Sequence, residues 1–206
     1  METEVAQLLL QIKAIKLNPQ NRYTWASGIK SPIYCDNRKT LSYPSVRRQI
    51  KEYLVEKSAD FKPFNTIAGV ATAGIPHGAL LADALNLPFV YVRSKAKGHG
   101  MQNLIEGELR GNERILLVED LISTGGSSLK AARVLENFGC SIAGVLAIFT
   151  YGFQQSIDAF AEEDIRLETL SNYDALLKQA CTIEYIKESD VEMLQEWRLS
   201  VGKQSK

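Results

Sequence analysis

Histidine is scarce in this 206-residue chain, with two in all, and cysteine is hardly commoner, with three. Neither His77 nor His99 falls in a known serine or cysteine triad motif, so the chain offers no convincing nucleophile constellation. Cys35, Cys140 and Cys181 are odd in number and widely spaced. They make no disulfide framework and no metal pattern. Net charge is absent too, with 24 Lys plus Arg against 24 Asp plus Glu, so nothing global points to nucleic acid or an anionic membrane. The opening METEVAQLLLQIKAIK has no positively charged leader, and its apolar residues are interrupted too often for a signal sequence or a membrane span. No internal repeat and no low-complexity linker is present. These features predict a soluble, reduced, cytoplasmic protein, and the length suits one α/β domain spanning residues 1–206.

What the chain does have is concentrated in RILLVEDLISTGGSSLKAARVLE, residues 114–136. Ile115, Leu116, Leu117 and Val118 form the unbroken apolar run of a strand buried on both faces of a parallel sheet. Glu119 and Asp120 follow, placing two carboxylates at the carboxyl end of that strand. Leu121 to Gly126 reads as a small-residue turn, and from about Ser127 a helical period begins, with Leu129, Ala132, Val134 and Leu135 on its apolar side. The first amides of a helix have no intrahelical partner, and the helix dipole favours an anion beside them. Ser123, Thr124, Gly125, Gly126 and Ser127 add hydroxyl donors and glycines that admit a ligand close to the backbone. This is a phosphate cradle. The neighbouring carboxylates suit hydroxyl groups, a cation, or positive charge in a transition state. A ribose phosphate satisfies both halves; a plain βα turn with Ser and Thr as caps is the alternative. No G-x-x-x-x-G-K-[ST] and no G-x-G-x-x-G occurs, so this is neither a Walker loop nor the dinucleotide fingerprint.

The remainder of the chain alternates in type. Val5, Leu8, Leu9, Ile12 and Ile15 recur at helical spacing and predict a helix over residues 3–16, ended by Asn18-Pro19. Tyr23 to Arg38 reads as a hairpin turning at Ser27-Gly28 and lying outside the main sheet, with Arg22, Lys30, Ser31 and Arg38 as an unusual concentration of donors. Pro44 opens a helix to about Lys57. Strands over 66–70, 88–93 and 142–151, with a helix over 76–85, complete a parallel sheet whose ligand site would lie at its carboxyl edge. Ala71-Thr72-Ala73-Gly74 is a second turn of small residues on that edge, read either as an anion site or as a tight turn. Ser94 to Gly111 is polar and glycine-rich, with Lys95, Lys97 and His99 in alternation. It reads as a cationic lid or as a solvated basic loop. Residues 1–40 and 165–206 fall outside the predicted core of 41–164 and would cover one edge of it together.

VEDLISTGGS resembles the 5-phosphoribosyl-1-pyrophosphate (PRPP) motif of the type I phosphoribosyltransferases. SGIKSPIY, KAKGHG…IEGEL and TLSNYDALL extend the resemblance over nearly the whole chain to the orotate phosphoribosyltransferase family. That resemblance implies a type I fold, a parallel sheet flanked by helices with a small hood from the N- and C-terminal segments. It implies PRPP contacts for Arg93, Lys97, His99, Glu119, Asp120, Leu121, Ile122, Ser123, Thr124, Gly125, Gly126 and Ser127. It implies orotate contacts for Lys30, Tyr34, Cys35 and Ser123, and catalytic roles for Lys97, Glu119 and Asp120. Mg²⁺ held mainly by PRPP and a homodimer, whose lids reach across to the partner's cradle, are implied in the same way. The chain departs from some members at Ala26, at Thr72-Ala73 and at Tyr151, where those members carry Lys, Tyr-Lys and Arg. A PRPP-sensing regulator or a transferase for another base remains an alternative, although no DNA-binding module is evident and the SGIKSP hood argues against the latter.

Overall fold

A computed structural model describes residues 1–25, 28–95 and 104–201. The chain begins with α1 (Glu2–Gln11), β1 (Ile15–Leu17), β2 (Tyr23–Thr24), β3 (Lys30–Ser31) and β4 (Ile33–Cys35). A 3-10 helix over Asn37–Ser42 leads into α2 (Pro44–Ser58), where Pro44 stands in the first turn and Val46, Ile50 and Leu54 form the buried stripe. Strand and helix then alternate through β5 (Thr66–Val70), α3 (Gly74–Leu85), β6 (Phe89–Val92), β7 (Ile105–Glu106), β8 (Arg114–Ile122), α4 (Gly126–Asn137), β9 (Ser141–Thr150), α5 (Gln154–Glu162) and β10 (Leu167–Asn172). Two helices close the described chain, α6 (Tyr173–Thr182) and α7 (Glu188–Val201). Among the described residues no helix is long and apolar enough to cross a membrane.

The main sheet has the order β10-β9-β8-β5-β6-β7, parallel throughout except for β7. Its central strand explains the apolar run directly. Leu116 and Val118 join the core on the face covered by α1, α2, α3 and α6, while Ile115 and Leu117 join the core under α4. All four are fully buried. Each such side chain contributes roughly 1.5–3 kcal/mol on leaving water. From β5 the chain moves outward to β6; from β8 it moves outward the other way, through β9 to β10. Adjacent β5 and β8 therefore mark the point where the winding reverses, and a cleft opens beyond their carboxyl ends.

Three expectations change. The first helix stops at Gln11 instead of residue 16, because Lys13 takes a left-handed conformation (φ 55) and the Ala14 amide returns to the Leu9 carbonyl. Ile15 and Leu17 fit period two as well as helical spacing, and they pair with Cys35 and Ile33. The segment from residue 165 is not all outside the sheet, since β10 is its edge strand, parallel to β9. Only Leu170 and Ser171 of that strand are buried, which is why LETLSN gives no strand alternation. The polar segment 94–111 packs partly on its own sheet: Leu104 is buried, and Ile105 and Glu106 pair with Val92 and Tyr91. Lys97 and His99 lie outside the described residues, as does Ala26.

The small residue opening α3 is a packing requirement. A Cβ at Gly74 would collide with the Val118 carbonyl oxygen and come within 3.2 Å of the Glu119 Cα. Both are strand backbone and cannot rotate away. Gly74→Ala should therefore cost about 2 kcal/mol, lowering the thermal midpoint by roughly 4–8 °C. A thermal unfolding scan checks this, and an unchanged midpoint would mean that α3 can back away freely.

Candidate active site

Strand β8 outruns its neighbour. Its last pairing with β5 is Gly69 with Val118, whereas its pairing with β9 continues to Ile122 with Thr150. Glu119 and Asp120 thus sit inside the strand rather than past its end, where β5 has already turned away. Glu119 is 6% exposed, deep enough for burial to raise its carboxyl well above the ordinary value, and the Asp120 charge pushes the same way. Burial raises Asp120 too, against the hydrogen bond to Glu119 and the pull of the Arg38 guanidinium. Two carboxylates in contact in such a place hold one proton between them, and the more deeply buried Glu119 keeps it.

The cradle follows at once. Gly125 is the N-cap of α4 with φ 82, and no side chain caps the helix, so the amides of its first turn face the cleft unassisted. Gly125 also lies against the Phe160 ring, which a Cβ would meet at 2.7 Å. Thr124, Gly126 and Ser127 are exposed and Ser123 is half-buried, whereas the Ile122 side chain points into the core and offers the cleft only backbone.

Three hollows form a continuous row along this edge. The central one, about 280 Å³, lies between the Ala71–Ala73 turn, the acidic pair and the cradle. On one side it runs through Thr124, Gly126 and Ser127 into a hollow of about 370 Å³ walled by Arg93, Ser94 and Lys130. On the other it shares Leu121 and Ser123 with a hollow of about 290 Å³ walled by Trp25, Tyr34, Cys35 and Tyr151. The cis peptide between Ala71 and Thr72 lies in the central wall.

The predicted residues are distributed unevenly along the row. Glu119, Asp120 and Leu121 to Ser127 all line the centre, and Tyr34, Cys35 and Ser123 line the aromatic end. Arg93 lines the other end but pairs with Glu106 at 2.8 Å. Lys30 stands off the aromatic hollow, its Nζ donating to Thr24 Oγ1 at 2.7 Å on the hollow's rim. Burial raises both the Cys35 thiol and the Tyr151 phenol, so each stays protonated and Cys35 is no nucleophile. Lys130 and Trp25, which the sequence did not mark as site residues, complete the walls with Tyr151, where some members carry Arg. Lys130 donates to the Ser94 carbonyl at 3.2 Å, and Trp25 and Tyr151 face each other with ring centroids 5.2 Å apart. A lysine one helical turn beyond a cradle was visible in the sequence as a signal; the Trp25–Tyr151 pair, 126 residues apart, was not.

The shared proton has a consequence for stability. In the empty protein Glu119 keeps its proton to higher pH than it does unfolded, so above about pH 4.5 the native state binds more protons than the unfolded one. The sign makes this contribution destabilising as pH rises. Glu119→Gln removes it, and the variant should be more stable than the unmodified protein at pH 8 by more than about 1 kcal/mol. The two should converge about a unit or more below pH 4.5, where the carboxyl is neutral in both states. Denaturant unfolding at the two pH values checks this; a pH-independent difference would mean that Glu119 is ionised in the empty site.

Comparison with known proteins places the chain. The family model described as "Phosphoribosyl transferase domain" matches residues 40–159. The chain is 55% identical over 202 residues to the orotate phosphoribosyltransferase of Phocaeicola vulgatus, covering 96% of this chain and 94% of that one. It is 50% identical over 207 residues to the enzyme of that name from Listeria monocytogenes, covering 100% and 99%. The crystal structure of orotate phosphoribosyltransferase from Aeropyrum pernix superposes with a TM-score of 0.72 at 26% identity, covering 85% of this chain and 98% of that one. With that identity over its whole length, and a type I sheet carrying the acidic pair and cradle at its winding reversal, the chain belongs to the orotate phosphoribosyltransferase family.

Proposed function

We propose that the chain transfers the 5-phosphoribosyl group of PRPP to N1 of orotate, yielding orotidine 5′-monophosphate and pyrophosphate, a step of pyrimidine nucleotide biosynthesis. The observation that carries this reading is the order of the three hollows, an aromatic slot, an acidic pair beside a phosphate cradle, and a cationic end. That is the order of base, ribose 5-phosphate and pyrophosphate in the reacting complex. In the reaction the bond from ribose C1 to the pyrophosphate oxygen breaks and its electron pair leaves with pyrophosphate. N1 of orotate supplies the pair for the new bond and gives up its proton.

The residues take roles that follow from their places. The amides opening α4 and the hydroxyls of Ser123, Thr124 and Ser127 hold the 5-phosphate. Glu119 and Asp120 accept from the ribose hydroxyls and offset positive charge growing on the ring, and that same charge draws the shared proton off. Trp25, Tyr34 and Tyr151 wall a planar base, with Cys35, Ser123 and the Lys30–Thr24 pair at its polar edge. Arg93 and Lys130, with Lys97 and His99 of the lid, neutralise the departing pyrophosphate. Among the described residues of the site no side chain is set up as a nucleophile, and the rate comes from positioning and electrostatics.

Mg²⁺ belongs to this reading as well. Among the described residues no group of three His, Cys, Asp or Glu side chains comes together as a metal site. The oxygen acceptors of the Glu119–Asp120 pair on the central hollow would receive the waters of an ion that arrives chelated by PRPP, because Mg²⁺ dehydrates reluctantly. When bound it supplies charge neutralisation on the diphosphate. All three cysteines are free thiols, which supports a cytoplasmic setting.

Two experiments test the reading. Pyrophosphate release from PRPP and Mg²⁺ should occur with orotate and not with uracil, hypoxanthine or adenine, and Asp120→Asn should lower turnover by about tenfold or more. Release without preference for orotate would reject the base assignment, and no release with any base would leave a PRPP-binding regulator. The shared dimer site is tested by mixing Lys97→Ala with Asp120→Asn subunits. If lids cross a two-fold interface, a mixed dimer has one doubly damaged site and one intact site. With random exchange, activity should return to about a quarter of the unmodified level. No recovery, once exchange is demonstrated, would mean that each chain serves its own site.

A further inference from the structure

The free edge that β8 presents beyond β5 is filled by a side chain. In a parallel ladder a residue turns its N–H and C=O to one neighbour and the next residue turns to the other. The Arg114 carbonyl accepts from the amide of Asn65, which leads into β5, at 2.9 Å; the Glu113 carbonyl accepts from Ser141, the first residue of β9, at 2.9 Å. Leu116, Val118 and Asp120 therefore face β5 in turn. Since pairing with β5 ends at Val118, Asp120 is the first of the series to aim its carbonyl where no strand remains. Asn37 Nδ2 donates to that carbonyl at 2.7 Å.

Asn37 is fully buried, and its amide can face only one way, because a carbonyl requires the NH₂ group. Its other contacts reach both sides. Its Oδ1 accepts from the Cys35 thiol at 3.3 Å, on the wall of the aromatic hollow. Its own carbonyl accepts from the Thr40 hydroxyl at 2.6 Å, which leaves the Thr40 oxygen to accept from His77 Nε2 on α3 at 3.5 Å. One buried relay thus links α3, the 3-10 helix, the base wall and the strand that carries the acidic pair.

We infer that Asn37 is a positioning residue for the transfer, standing in for the missing strand and fixing Asp120 at the angle at which its carboxyl meets the ribose. Asn37 itself lines none of the three hollows. The inference rests on the transferase reading for its kinetic consequence and on geometry alone for its hold on β8.

Asn37→Ala separates the two. Turnover with orotate and PRPP should fall about tenfold, with both Michaelis constants within about twofold of the unmodified values, because the loss lies in alignment and not in binding. Amide hydrogen exchange over residues 121–127 should quicken more than about tenfold while β5 keeps its protection. If the alanine variant does not fold, Thr40→Val, which loosens the relay without altering the Asn37 side chain, should show the same pattern at about threefold. Turnover within twofold and unchanged exchange would overturn the inference. So would faster exchange across the whole sheet, which would make Asn37 a general core residue. Should the unmodified protein fail to turn over orotate, the transferase reading falls, and the exchange comparison still decides what Asn37 holds.

Discussion

The site depends on one mismatch in length, the four residues Glu119 to Ile122 by which β8 continues after its last pair with β5. A strand paired on both sides has no room for ligand. A strand paired on neither side would be a loop, too loose to hold two carboxylates in contact. Pairing with β9 alone keeps Glu119 and Asp120 rigid while the vacated side opens as the cleft. The winding reversal produces that vacancy, since β5 and β8 send their following segments in opposite directions.

Keeping two carboxyls there is costly, and the protein lowers the cost without removing it. Burial and mutual repulsion leave the pair one proton short of full ionisation, in a place where an apolar pair would stabilise the fold. The surrounding core is large enough to carry this. Two apolar clusters, one on each face of the sheet, bury most side chains of β5, β8 and β9. Among the described residues no buried side-chain nitrogen or oxygen lacks a hydrogen-bond partner. The cost is therefore electrostatic and lies in the pair itself.

The wall of the aromatic hollow is assembled from further away. Trp25 meets Tyr151 at 5.2 Å and Trp197 edge-on at 5.8 Å, and Trp197 Nε1 donates to the Lys30 carbonyl at 3.1 Å. The last described helix thereby fixes the hairpin that carries Lys30. These rings bury large area and have few rotamers, which suits a wall that must stay flat with little backbone of its own to support it. Tyr173, fully buried beneath, ties its hydroxyl to the Leu194 carbonyl at 3.1 Å and anchors α6 to α7.

Much of this was legible in the residues, and the division has a physical basis. Residues 114–136 specified strand, acidic pair, cradle and helix in order, because each is a local matter of period, helix-end chemistry and glycine geometry. The strand at 66–70 and the helix opening at Pro44 were equally local. Where a segment's pattern was short or ambiguous, packing decided. Ile15 could continue a helix or start a strand, and pairing with Cys35 chose the strand. LETLSN is half-exposed and shows no alternation, and only docking against β9 makes it the sheet edge. Asn37 resembled any loop asparagine until the fold brought it to a carbonyl 83 residues away. The sequence by itself determined the chemistry of the cradle and the acidic pair, because those groups act through their immediate neighbours. Which strand stops short, which side chain fills the gap, and which rings meet in the wall of the aromatic hollow were decided only by the tertiary structure. Such contacts join residues far apart in the chain, and no local pattern encodes them.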